Sequence, residues 1–90
     1  MKHIKYYICT KKSYAEHRGD ELLISVQGKS EIVVLTETAI DLWHLLSKKR
    51  SVDELVQELC KEYEVSVEQA ARDVKQFLKK GIDNGIVTKT

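Results

Sequence analysis

The residues best suited to nucleophilic or metal chemistry in this 90-residue chain are two cysteines, Cys9 and Cys60, and three histidines, His3, His17 and His44. A cysteine nucleophile needs a base at its side and a third group to orient that base, and no local signature here supplies them. Cys9 and His17 share a stretch of chain without forming such a pattern. The cysteines fit no C-x-x-C spacing, and no Cys/His pair shows the short ligand spacing of a metal site. Free thiols in a reducing compartment are expected, with Cys60 acting as a small core hydrophobe. Asp53-Glu54 and Glu62/Glu64 are carboxylate neighbours, but a helix start and a solvated helix face account for them without raised pKa values. Gly19 and Gly28 belong to turns, and no Gly-rich strand-to-helix loop is present to cradle a phosphate. The expectation is therefore no catalytic residue, no metal, no cofactor, and a binding module in place of an enzyme.

Length and composition bound what must position any binding surface. Ninety residues make one domain, 1–90, with a single core. Hydrophobic residues are 42% and charged residues 32%, the mixture of a folded globular chain. A net charge of +1 leaves no broad footprint for nucleic acid or an anionic membrane, so neither is expected as a partner. The N-terminal residues hold scattered lysines and no apolar run long enough for a signal peptide or a membrane span, which points to a cytoplasmic protein.

Hydrophobic periodicity changes near Thr36, from about two residues to about 3.6. Before it, Leu22, Ile24 and Val26 alternate with Leu23, Ser25 and Gln27, and Gly28-Lys29-Ser30 turns the chain into residues 31–35. An earlier strand within residues 4–17, containing Tyr6-Tyr7-Ile8 and Tyr14, is joined through Arg18-Gly19-Asp20. After the change, Thr36 is a plausible N-cap for a helix burying Ala39, Trp43 and Leu46, widened by Ile40 and Leu42. Ser51-Val52-Asp53-Glu54 and Ser66-Val67-Glu68-Gln69 read as capping boxes opening two further helices. The stripes Val52/Leu55/Val56/Leu59/Cys60/Tyr63 and Ala70/Ala71/Val74/Phe77/Leu78 follow them, and Asn84-Gly85 ends the last helix so that Ile86 and Val87 return to the core. The fold class is α+β: an N-terminal three-stranded antiparallel sheet followed by three helices, winged-helix-like.

Two surfaces of this architecture could bind something. Arg72, Lys75, Lys79 and Lys80 on the final helix could serve a winged-helix DNA reader, but Glu68 and Asp73 share that helix and the overall charge is nearly balanced. The other candidate is Glu31-Ile32-Val33-Val34-Leu35, apolar at four successive positions although a sheet covered on one face should alternate. At a sheet edge its free amides and carbonyls would be a template for an added peptide strand.

Leu35-Thr36-Glu37-Thr38-Ala39, Leu42-Trp43, Val52-Asp53-Glu54-Leu55-Val56, Tyr63, Val65, Asp73-Val74, Phe77-Leu78 and Gly85-Ile86-Val87, taken in this order and spacing, resemble the PqqD-like family over residues 14–87. The resemblance implies a leader-peptide recognition element, which binds the leader of a ribosomally made precursor peptide and presents its core to modifying enzymes. It implies that the leader pairs with the third strand, here Glu31, Ile32, Val33, Val34 and Leu35. The facing helix would contribute Ala71, Val74, Lys75, Leu78 and Lys79, although periodicity leaves open the opposite shoulder with Asp73, Gln76 and Lys80. Family members serve pyrroloquinoline quinone assembly, lasso-peptide pathways and radical-enzyme peptide maturation. Thr36 in place of the usual asparagine, Ala39 in place of glycine, and Trp43 make this chain more similar to a lasso-pathway leader-binding protein. The partners implied are a precursor leader peptide and a separate modifying enzyme such as a leader peptidase.

Overall fold

Leu22 and Ile24, two residues apart on one strand, have no exposed surface, whereas their chain neighbours are partly or fully exposed. That alternation places one face of a sheet against the core. The computed structural model describes residues 4–90, so His3 lies outside the described residues. In chain order the elements are β1 (Tyr7–Cys9), β2 (Ser13–Arg18), β3 (Glu21–Val26), β4 (Ile32–Thr36), α1 (Thr38–Leu45), α2 (Val52–Glu62), α3 (Val67–Asp83) and β5 (Val87–Lys89). β2, β3 and β4 form an antiparallel sheet in that order, and β1 pairs antiparallel with β5 in a separate two-stranded ribbon.

The β2–β3 connection is the two-residue Gly19-Asp20 turn between the paired Arg18 and Glu21. Gly19 takes φ +59, the positive value that a II′ hairpin demands at its first turn residue. Leu22 and Ile24 of β3 with Leu35 of β4 meet Leu42, Trp43 and Leu46 of the first helical segment. Leu55 and Leu59 of α2, Val74 and Phe77 of α3, and Ile86 complete the same core. Tyr63, just beyond α2, donates its hydroxyl proton to the Asp41 carboxylate of α1, tying the helices together at the surface.

Two of the expected caps form differently. Ser51 makes the full reciprocal box: its Oγ accepts from Glu54 N at 3.2 Å, and Glu54 Oε1 accepts from Ser51 N at 2.9 Å. Ser66 Oγ accepts from Gln69 N at 3.1 Å, but the Gln69 amide turns forward to donate to Asp73 at 2.8 Å, so only half the second box exists. Thr36 is not the cap of α1. It still pairs with Glu21 as the last residue of β4, so the reversal into the helix falls on Glu37, at φ 54 and ψ −130 and without a side-chain cap.

The N-terminal expectation of one strand also needs correction. The chain breaks at Thr10–Lys12, where Lys12 has φ 65 and Ser13 Oγ donates to Thr10 O at 2.7 Å. Only the part after this turn joins the main sheet. The part before it lies between β5 and the α1–α2 connection, held by Tyr7 N to Arg50 O and Cys9 N to Leu46 O, both 2.9 Å. At the far end of α3, Asn84 stays right-handed and Gly85 alone takes positive φ, +76. Gly85 N donates to Ile82 O and Ile86 N to Gly81 O, the paired bonds of a Schellman stop, and Val87 is thereby aimed back at the core. Gly81 allows this return, because a Cβ there would lie 2.6 Å from Val87 Cγ2.

Candidate functional site

β4 is an edge strand. Among the described residues, 31–36 make no backbone hydrogen bond outside the ladder with β3. Beside the free edge lies a groove of about 480 Å³, bounded by β4, the start of α1 and one face of α3. Its apolar lining includes Val33, Leu35, Ala39, Leu42, Phe77 and Ile86. The sequence places these residues there for simple reasons. Val33 and Leu35 alternate toward the core face of β4, and Ala39 and Leu42 lie on one side of α1.

The expected strand residues lie along this edge, with the strand itself running one residue later, Ile32–Thr36. Glu31 precedes β4 and lines a neighbouring depression with Lys29, Asp83 and Asn84, while Val33, Val34 and Leu35 line the groove itself. Ile32 and Val34 point to the other face of the sheet, where they are 58% and 49% exposed. Cross-strand register aligns Tyr14 with Ser25 and Ile32, and Glu16 with Leu23 and Val34. The unbroken apolar run in β4 thus divides between a groove side and an uncovered outer face.

The helix residues expected from the resemblance lie outside this groove, which is walled by the opposite shoulder of α3. The groove touches Asp73, Gln76, Phe77, Lys80, Gly81 and Asn84, a stripe at i, i+3, i+4, i+7, i+8 and i+11, and none of the five helix residues expected from the resemblance lines it. Val74 and Leu78 are core residues, 0% and 3% exposed. Ala71 packs against the core at its margin, and Lys75 and Lys79 stand exposed on the shoulder turned away from β4. Lys79 pairs with Asp83 at 3.3 Å along the helix. The apolar stripe of α3 has two flanks, and only the position of β4 decides which of them becomes a groove wall.

β4 and α3 run in opposite directions along the groove, since the residues that open β4 sit beside Asp83 and Asn84 at the end of α3. Asp73 and Lys80, seven residues apart, are separated by roughly 10 Å along the helix axis. The mouth at the close of β4 therefore carries Glu37 and Asp73, and the opposite mouth carries Lys80. Glu37 holds a backbone conformation that favours glycine, at a cost of order 1–3 kcal/mol.

Elsewhere the chemistry-bearing residues are occupied in other ways. Cys9 Sγ donates to Trp43 O at 3.2 Å, and burial pushes its thiol up to about 12 from 9.0. Cys60 Sγ reaches Val65 O at 3.9 Å, and both cysteines are free. His17 and His44 stack with ring centroids 5.3 Å apart, joining β2 to α1. Sequence reasoning had no means of pairing these two rings. Among the described residues no three Cys, His, Asp or Glu side chains gather in a group able to hold a metal. Among the described residues no helix is long and apolar enough to cross a membrane.

A small sheet with an open edge strand beside a groove and a helix is an arrangement to which an extended peptide could add as a further strand. The model of the family described as coenzyme PQQ synthesis protein D (PqqD) matches residues 21–87, and the chain belongs to this family. Among solved structures, the fold is similar to that of TbiB1, determined in complex with the TbiA(beta) leader peptide. The TM-score is 0.78 at 23% identity, covering 89% of this chain and 93% of that one. A search of curated protein sequences returned no match.

Proposed function

We propose that this protein is a leader-peptide recognition module. It binds an extended segment of a ribosomally synthesised precursor as an added strand on β4 and presents the rest of that precursor to a separate enzyme. The observation that carries the reading is the free edge of β4 beside the apolar groove, because backbone pairing supplies affinity for many extended sequences while the groove selects side chains. PqqD membership and the leader-bound state of TbiB1 support the same reading. Ordering an extended peptide costs chain entropy, so at least one apolar anchor must enter the groove near Val33, Leu42 and Phe77. The chain itself performs no chemistry in this scheme. Its enzyme partner is a leader peptidase of a lasso-peptide pathway, in keeping with the departures at Thr36, Ala39 and Trp43.

The test is a titration with a synthetic leader from a short precursor gene neighbouring this one, followed by backbone amide shifts. Perturbations should cluster in 32–36 and at Asp73, Gln76, Phe77 and Lys80. Shifts confined to α2, with β4 unmoved, would sink strand addition. Incubation of the purified chain with the whole precursor should leave its mass unchanged, and cleavage should require the peptidase. A steeply salt-dependent affinity for duplex DNA together with no leader binding would favour the winged-helix alternative.

A further inference from the structure

We infer that the groove reads the order of charges along its peptide: a Lys or Arg at the N-terminal end of the added strand, an apolar anchor in the middle, and an Asp or Glu at the C-terminal end. This rests on the proposed strand addition at β4 and extends it to the chemistry of the peptide. At the mouth beside the end of β4, Glu37 and Asp73 line the groove, and Asp20 and Glu21 surround Glu37 on its outer side. Arg18 is the cation nearby, and it pairs with Glu16 at 3.5 Å. None of Asp20, Glu21, Glu37 or Asp73 takes part in an ion pair among the described residues. The acidic mouth is consequently open to an incoming cation.

The opposite mouth has the reverse balance. Lys80 lines the groove there, and the Lys29 ammonium lies across Gly85. Of the two carboxylates near it, Glu31 and Asp83, the second is already paired with Lys79. Between the mouths the lining is mixed: Val33, Leu35, Leu42 and Phe77 supply the apolar surface an anchor would meet, and Gln76 lies on the helix wall beside them. Charges of opposite sign some 10 Å apart define a direction along the groove. The sheet is antiparallel throughout, and antiparallel pairing is the slightly more stable kind per residue, so a strand added to β4 runs opposite to it. Its first residues then lie against Glu37 and Asp73, and its last against Lys80.

The experiment is selection of a phage-displayed library of random dodecapeptides against the immobilised full chain, with sequencing of the enriched pool. Lys and Arg should be enriched on the N-terminal side of the apolar anchor and Asp and Glu on the C-terminal side, by about two- to fivefold per position, the range open to an exposed ion pair. Selection on a variant carrying Glu37→Lys and Asp73→Lys should exchange the preference at the first position for acidic residues. Glu37→Gly guards against a folding artefact, because glycine accepts the positive φ at this position, and it should weaken the N-terminal basic preference without loss of binding. Enrichment of apolar strands with no charge order, or an order unaltered in both variants, overturns the inference while strand addition stands. An opposite order overturns it as well. If nothing is enriched on any form of the protein, strand addition at β4 fails and the inference fails with it.

Discussion

The main sheet has two edges, and they are built in opposite ways. β2, on one side, reads Ser-Tyr-Ala-Glu-His-Arg and is exposed over nearly its whole length, with the Glu16–Arg18 ion pair and the His17 ring along it. β4, on the other, reads Ile-Val-Val-Leu-Thr and borders a groove. Charged side chains blunt an edge against pairing with other chains. The same sheet is thus protected on one side and left open on the side that faces α3. A third edge, that of β1, is closed in yet another way, by β5 and by backbone bonds to the α1–α2 connection. An open edge in this molecule is a local feature of β4 and not a general looseness of a small domain.

The largest expected effect concerns the closed edge. Cys9 sits in β1 with its thiol pushed up by burial to about 12 from 9.0, which reduces the thiolate at pH 8 on the order of a thousandfold. Alkylation by iodoacetamide should therefore be slower by about that factor in the folded protein than in denaturant, and leader addition should not change it. The sign of the pH dependence follows. The unfolded thiol ionises near 9.0 and the folded one near 12, so this contribution to stability is complete below pH 9 and is lost as pH rises toward 12. Fast Cys9 alkylation in the native state, or a change on leader binding, would show that β1 is not closed.

The open and protected edges can be compared at matched positions. Ala15 on β2 and Val33 on β4 flank the same residue, Ile24, from its two sides. Val33→Lys should lower leader affinity at least about tenfold, or 1.4 kcal/mol, by placing a charge at the groove floor. Ala15→Lys should leave affinity unchanged. Thermal melts of both variants separate loss of the groove from loss of the fold, since Val33 is half-buried and its replacement also costs some packing. Equal losses in calorimetry at the two positions would erase the distinction between the edges.

A smaller effect is expected from converting the protected edge. Glu16→Val with Arg18→Val removes the ion pair and the charges that guard β2, at little cost in stability because both groups are exposed. Sedimentation velocity should show the sedimentation coefficient rising more steeply with concentration than for the parent chain, as unguarded strands associate. No difference between the two would mean that the charges on β2 have no protective role.

The sequence was legible where a period had room to repeat. α2 and α3 run 11 and 17 residues, and their stripes and starts could be read directly. The three-residue β1 and β5 offer less than two periods of alternation, and the turn at Thr10–Lys12 contains neither glycine nor proline, so one long strand was the natural reading. Glu37 was hidden for a related reason: its positive φ is imposed by β4 running on to Thr36, and glutamate carries no sign of it. The strand half of the groove was legible because four apolar residues in a row violate the alternation of a one-faced sheet. The helix half was not, because periodicity finds the buried stripe of α3 and treats its two flanks alike.

The smallest expected effect separates those flanks. Lys75 and Lys79 stand on the shoulder away from β4, and neither lines the groove. Charge reversal there tests the placement of the wall directly. Lys75→Glu with Lys79→Glu breaks the Lys79–Asp83 pair, an exposed i,i+4 contact worth at most about 0.5 kcal/mol, so the fold should be retained. Leader affinity should stay within about twofold of the parent at moderate salt, because screened charges on the far side of a helix act weakly across its width. Lys80→Glu, one residue further along but on the groove stripe, should exceed that change and alter preference at the C-terminal end of the peptide. If the double variant loses more affinity than Lys80→Glu does, the peptide lies along the other shoulder of α3, and the groove beside β4 is not its seat.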